Sequence, residues 1–347
     1  MKQVQKTPPT TKSAAPSPRL PTLRAALWLY LFVLLGTTLT VYVPAHSAPR
    51  VLLGLVSGLF VVGGFTLAGI FINQFDLWAM VGARPRWRTL AYAFLAGVAI
   101  WIPAYWLTVI VSALLNVNVG LIQGVSAAQL DPNAALPPLP VALLVALVIL
   151  PVSQGLLFWG YLRHGLDGIG PRWTTILLVL MFAVFGMYAT TDGMAGIAEF
   201  LLVGILAALV AHFTGTVWNV VAVLAGYNLA PFLTTSILGA YFASHPDDAF
   251  NPFSERWLIL VVVGVFVSFI LIQILRAIGD EKKTPAITPA PLNLGRWWWV
   301  PVALSLGITL GLGYFEITQR MNNPIPYGTN PTGSTVPPIG SSSSPGQ

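Results

Sequence analysis

The chain has 347 residues, of which 56% are hydrophobic and 8% charged. Polar groups this sparse cannot cover the surface of a water-soluble domain of that size, so the composition excludes that class and points to an integral membrane protein. The net charge of +6 comes from Lys and Arg grouped in a few loops, a topology signal and not a nucleic-acid surface; the absence of cysteine removes disulfides, iron–sulfur clusters and thiolate-ligated zinc.

In chain order, residues 1–22 are rich in Lys, Pro, Thr and Ser and read as a disordered basic tail. Ala25 to Ala45 is apolar, followed by small residues. A signal peptide is the rival reading, but the run is long enough to span a bilayer and the basic stretch before it is long, which favours an uncleaved anchor. Further spanning runs follow at 51–73, 89–115, 140–162, 174–190, 193–211, 215–238, 257–276 and 297–315, making nine with the first. The expected fold is all-α, a polytopic transmembrane helical bundle. Three helices and an outer loop (116–139) occupy 23–139, four helices 140–238, two helices 239–320, and a Pro, Ser and Gly rich tail, also expected to be disordered, 321–347. Thr190-Thr191-Asp192-Gly193 reads as a tight hairpin.

With a cytoplasmic N-terminus, 14 of the 17 Lys and Arg fall on the inner side and only Arg50, Arg256 and Arg320 on the outer. This positive-inside bias supports the number of segments and predicts an extracytoplasmic C-terminus in the cell membrane. Trp297, Trp298 and Trp299 beside Arg296, and Trp257 at the opposite face, suit interfacial anchors. Gly54/Gly58 and Gly307/Gly311 are small-xxx-small pairs of the kind that lets helices approach closely.

The most informative stretch is Pro151-Val-Ser-Gln-Gly-Leu-Leu-Phe-Trp-Gly-Tyr-Leu162, in which Ser153, Gln154 and Trp159 need protein or a cavity to face. Phe182-Ala-Val-Phe-Gly186 follows on the next helix, and later come Thr214-Gly-Thr-Val-Trp218 and Leu224-Ala-Gly-Tyr-Asn228. These frames, over roughly residues 140–235, resemble the CPBP family, the CAAX-protease and bacteriocin-processing (Abi) intramembrane metalloproteases. The family run is Pro-Ile-x-Glu-Glu-Leu-Leu-Phe-Arg-Gly-Tyr-Leu, with Phe-x-x-x-His and His-x-x-x-Asn on later helices. Here Gln154 and Gly155 stand for the two glutamates, Trp159 for the arginine, Gly186 and Leu224 for the histidines, while Phe182 and Asn228 are retained. The resemblance implies a CPBP-type core. Counting 1.5 Å per residue places Gln154, Gly186, Leu224 and Asn228 in one layer near mid-membrane.

In the family, glutamates and histidines hold a metal that activates water, and such activation needs carboxylate or imidazole ligands. The residues at these positions predict that the zinc is absent and the hydrolytic site lost. Gln154 and Asn228 either line a polar remnant that binds a peptide backbone or lipid head, or hydrogen-bond to each other or to Ser153. Glu199 is the one carboxylate deep in a segment, and is read either as a substitute ligand, proton carrier or substrate anchor, or as a neutral structural residue. His212 lies too far along its helix to share a metal with Glu199 and reads as interfacial; Tyr161, Tyr188 and Tyr227 read as packing residues, and Arg163, His164 and Arg172 as orientation signals. The leading expectation is a pseudoprotease that binds a membrane peptide, a prenyl-like or lipid ligand, or a protein partner, with membrane lipids around it and no nucleic acid. The alternatives are an active endopeptidase recruiting Glu199 and Gln154, and a transporter or channel.

Overall fold

The computed structural model describes residues 18–42, 55–114, 139–189, 193–244, 255–279 and 297–322. Among them the long elements are all helices: α1 (Leu23–Tyr42), α2 (Val56–Ile72), α4 (Trp87–Leu114), α5 (Leu139–Ile169), α6 (Pro171–Ala189), α7 (Met194–Thr214), α8 (Val217–Ser244), α9 (Glu255–Gly279) and α10 (Trp299–Asn322), with the short α3 (Leu77–Val81) between α2 and α4. A helix therefore occupies each of the apolar runs. Among the described residues six of these helices, α1, α4, α5, α6, α7 and α9, are long and apolar enough to cross a membrane. The apolar parts of the other three, Val56–Ile72, Val217–Leu233 and Trp299–Phe315, are shorter. The outer loop 116–138, Thr190–Asp192, Gly54, residues 1–17 and the tail from 323 onward lie outside the described residues.

Capping chemistry sets several boundaries. Thr22 starts α1, its Oγ1 accepting from the Ala25 N–H at 3.3 Å, and Asp76 starts α3, its Oδ1 accepting from the Ala79 N–H at 3.1 Å. α7 ends at Gly215, whose left-handed φ of 67° lets its N–H return to Ala211 O. Gly82, with φ 82°, closes α3 and pairs with Thr216 at the start of α8. The two turns therefore meet: a side chain at Gly82 would come within 2.7 Å of Gly215 O.

The expected disordered tail is too long at its inner end. Residues 18–22 are ordered against the bundle, because the Asp76 N–H donates to Arg19 O at 2.9 Å and the Arg19 guanidinium reaches Gln74 Oε1 at 3.4 Å. Pro21 is buried and Leu20 packs on the core.

The inner half of α5 is the central strut, touching α1, α2, α3, α6 and α8. Leu157, Phe158, Trp159, Tyr161 and Leu162 are all essentially inaccessible, so this helix is enclosed around its whole circumference and not only on one polar face. Over Val145–Ile149 and Gly155–Leu162 its backbone bonds run i→i+5, wider than the α-helical turn. A second group forms around α4, which packs on α7, α8 and α9 although it belongs to the N-terminal third of the chain. There, α9 approaches so closely that a Cβ on Gly264 would lie 2.8 Å from Ala99 O and 2.9 Å from Pro103 Cδ. α10 lies against α1 and ties to α6 through Tyr188 OH and Thr309 Oγ1, 2.8 Å apart.

Trp257 is 4% exposed and packs within the bundle. It heads the inward stripe of α9 that continues through Gly264, Ser268, Leu271 and Leu275, a helical spacing that turns the indole to the bundle. Trp297, Trp298 and Trp299 are exposed as expected.

Candidate functional site

The three motif frames lie on α5, α6 and α8, and the structure joins the first two through aromatic rings. Trp159 and Phe182 meet with ring centroids 5.0 Å apart in an edge arrangement, and Phe158 sits edge-on to Phe182 at 4.9 Å. Phe200 from α7 closes the cluster at 5.0 Å from Phe182, with Phe185 at 5.4 Å from Phe158. Offset and edge contacts of this kind each stabilise by about 0.5–1.5 kcal/mol beyond the area buried. The ring at position 159 thus fills space at the level where the resemblance expects a guanidinium. Its indole Nε1 is buried without a hydrogen-bond partner, which costs free energy.

Gly186 packs against α7. A Cβ there would meet Phe200 Cγ at 2.6 Å and Gly196 O at 2.7 Å, so the position is sealed by α7 and has no room for an imidazole. Leu224 is 1% exposed. Asn228 donates from Nδ2 to Ala146 O at 3.0 Å, which fixes the register of α8 against α5. Ala146 precedes Gln154 by eight residues, about two turns. At the level of Gly155 the α8 neighbours are instead Val217 and Val221, the latter 2.6 Å from a Cβ built on Gly155. The single layer expected for Gln154, Gly186, Leu224 and Asn228 is therefore not formed: equal counting from helix ends ignored the antiparallel slide of α8 along α5. Ser153 is likewise committed locally, its Oγ donating to Ile149 O at 2.6 Å. Gln154 is buried.

Glu199 is buried at 6% exposure and faces α4, where Thr108 Oγ1 donates to its Oε2 at 3.2 Å while also lying 3.3 Å from Ala104 O. Its neighbour in sequence, Phe200, points into the aromatic cluster, so the acid and the motif run are on different sides of α7. Thr108, itself fully buried, is a partner the sequence reading missed. A polar residue inside an apolar run was the available signal, but a threonine that bonds back to its own helix gives no sign of a partner. Asn219, 1% exposed with Oδ1 unpartnered, was missed in the same way.

The donor set does not suit the family's metal. Gln154 and Asn228 are neutral amides, the latter bonded elsewhere, and Gly155, Gly186 and Leu224 carry no ligand atom. Among the described residues no three His, Asp or Glu side chains gather as a cation site. His212 is exposed in the last turn of α7 against the Phe213 ring, 5.3 Å away. His164 has a structural place: Nδ1 lies 3.0 Å from Asp167 Oδ2 and Nε2 3.3 Å from Met80 O, tying the end of α5 to α3. Tyr161 packs edge-on to Phe75 at 5.7 Å, and Tyr227 is buried at 8% exposure. No family model, curated protein or solved structure matches the chain.

Proposed function

We propose that the chain is a membrane protein crossing the bilayer nine times, with its N-terminus cytoplasmic and its C-terminus outside, built on a CPBP-type core whose hydrolytic site has been lost. It acts by binding, as a pseudoprotease that holds a membrane peptide or a prenyl-like or lipid ligand, or as a subunit of a membrane assembly. The observation that carries this reading is the seating of Trp159 on Phe182, with Gly186 sealed by Phe200. Apolar packing takes the space a metal, its ligands and a water would need, and a hydrolytic water is of no use without a base to activate it. The basic bias to one side supports the orientation. Glu199, bonded by Thr108 on α4, stands as a helix-to-helix link and not as a replacement base.

The test is purification of the full chain in a mild detergent, with metal analysis, a cleavage assay on a farnesylated CAAX-type peptide, and identification of co-purifying proteins from the same sample. The expected result is metal well below one per chain, no cleavage, and either retention of the peptide or a reproducible protein partner. Stoichiometric zinc with cleavage that disappears in Glu199→Gln would overturn it in favour of an active peptidase.

A further inference from the structure

α4 and α8 touch backbone to backbone at one point. A Cβ on Gly97 would overlap Val223 O, and a Cβ on Gly226 would overlap Phe94 O. On the N-terminal side of that crossing the two helices line a shallow, outward-facing apolar groove of about 560 Å³. One wall is the α4 stripe of Leu90, Ala91, Phe94 and Leu95; the other is the α8 stripe of Trp218, Ala222 and Ala225. Within each wall residues three or four apart share a face, so the walls are apolar strips of roughly one and a half turns on α4 and two turns on α8.

What stands at the open end is cationic. Arg84, Arg86 and Arg88 fall within five residues, and all three are exposed. Their position relative to the groove is held by two links: the pairing of Gly82 with Thr216, and Thr216 Oγ1 donating to Val81 O at 3.4 Å. These pin the loop before α4 to the start of α8, where the groove opens. Arg88 also continues the α4 wall, three residues before Ala91 and seven before Leu95, with its guanidinium over the ring of the exposed Trp87, 5.7 Å from the centroid.

We propose that this groove binds an acyl chain of an anionic phospholipid, whose headgroup is held by Arg84, Arg86 and Arg88 in the leaflet on the arginine-rich side. The shallow apolar groove takes the chain, Trp87 and Trp218 at the starts of α4 and α8 supply indoles of the kind that favour the headgroup region, and the arginines supply charge and bidentate donors to phosphate. The groove is separate from the Trp159 and Phe182 cluster, and the site does not depend on whether the core is catalytic.

Native mass spectrometry of the delipidated full-length protein tests the site, with separate titrations of phosphatidylglycerol, phosphatidylcholine and oleic acid. Wild type is expected to bind one phosphatidylglycerol about tenfold more tightly than phosphatidylcholine. Ala222→Trp, and Ala91→Trp on the exposed wall as the variant least able to disturb folding, should each weaken that binding about tenfold with the melting temperature unchanged. Arg84→Gln, Arg86→Gln and Arg88→Gln should each lower phosphatidylglycerol affinity, by up to about fivefold, and leave phosphatidylcholine affinity as it was. Equal binding of the two phospholipids by wild type overturns the proposal, as does undiminished binding by a folded Ala91→Trp variant. Saturable oleic acid binding without phosphatidylglycerol binding overturns the phospholipid assignment.

Discussion

The seam between α4 and α8 and the centre formed by α5, α6 and α7 hold helices together in opposite ways. At the seam, Gly97 and Gly226 let two backbones meet with no side chain between them. In the centre, Phe158, Trp159, Phe182 and Phe200 keep the helices apart and fill the space with rings about 5–6 Å from centroid to centroid. Lipid tails are as apolar as leucine, so neither arrangement gains much from excluding solvent; each depends on close contact, one through small residues and the other through large ones. The difference teaches where each region is vulnerable. The seam fails when atoms are added, and the centre fails when they are removed. The seam also borders the groove, which α4 and α8 line together on its N-terminal side.

That contrast can be broken or sharpened by substitution. The largest effect is expected for Phe182→Ala, which removes a fully buried ring touching three others and should cost about 3–5 kcal/mol in reversible unfolding from detergent or bilayer. A loss below about 1 kcal/mol would mean that the cluster relaxes freely and does not hold the centre. Next comes Gly97→Ala, where one methyl overlaps the Val223 carbonyl; backbone cannot step aside cheaply, so a loss of about 3 kcal/mol is expected, at the upper end for overpacking. A smaller effect, about 1–2 kcal/mol, is expected from Thr108→Val, which keeps the shape of the side chain but takes one donor from the buried Glu199. Restoration of most of that loss in Thr108→Val/Glu199→Leu would show that the deficit lies in the Thr108–Glu199 pair. The smallest effect is expected for Gly307→Ala and Gly311→Ala, within about 0.5 kcal/mol, because nothing lies within 4 Å of a Cβ at either position. If these two proved as damaging as Gly97→Ala, an occupant on that face of α10 would have to be added to the picture.

The glycine pairs show how far sequence reasoning reaches. Gly307/Gly311 have the spacing of a close helix contact and lie open, Gly58 approaches Leu150 within the same chain, and Gly97 with Gly226, which share no motif, make the tightest contact of these. Spacing along one helix says that a neighbour can come near, not that one does. The same limit applies to the motif frames. Their place on separate helices was legible because hydropathy and length mark helices in an apolar chain, and the aromatic meeting of Trp159 and Phe182 agrees with the first two frames lying on neighbouring helices. The expected common layer was not, because the slide of α8 along α5 is set by which side chains interlock, and Asn228 settled on Ala146 O two turns from Gln154.

Composition and hydropathy alone determined the all-helical architecture, the positions of its long helices and the asymmetry of its basic loops, since a long apolar segment has to satisfy its backbone within itself. That Gln154, Gly155, Gly186 and Leu224 offer neither carboxylate nor imidazole was equally plain from residue identity. Tertiary structure decided the rest: that α4 lies among α7, α8 and α9, that Trp257 points inward, that residues 18–22 dock on the bundle, and that Glu199 faces Thr108. Each of these depends on rotation and slide between helices whose apolar surfaces are nearly uniform. In such surfaces the order of residues constrains contacts weakly, and only the packed set of side chains selects one arrangement.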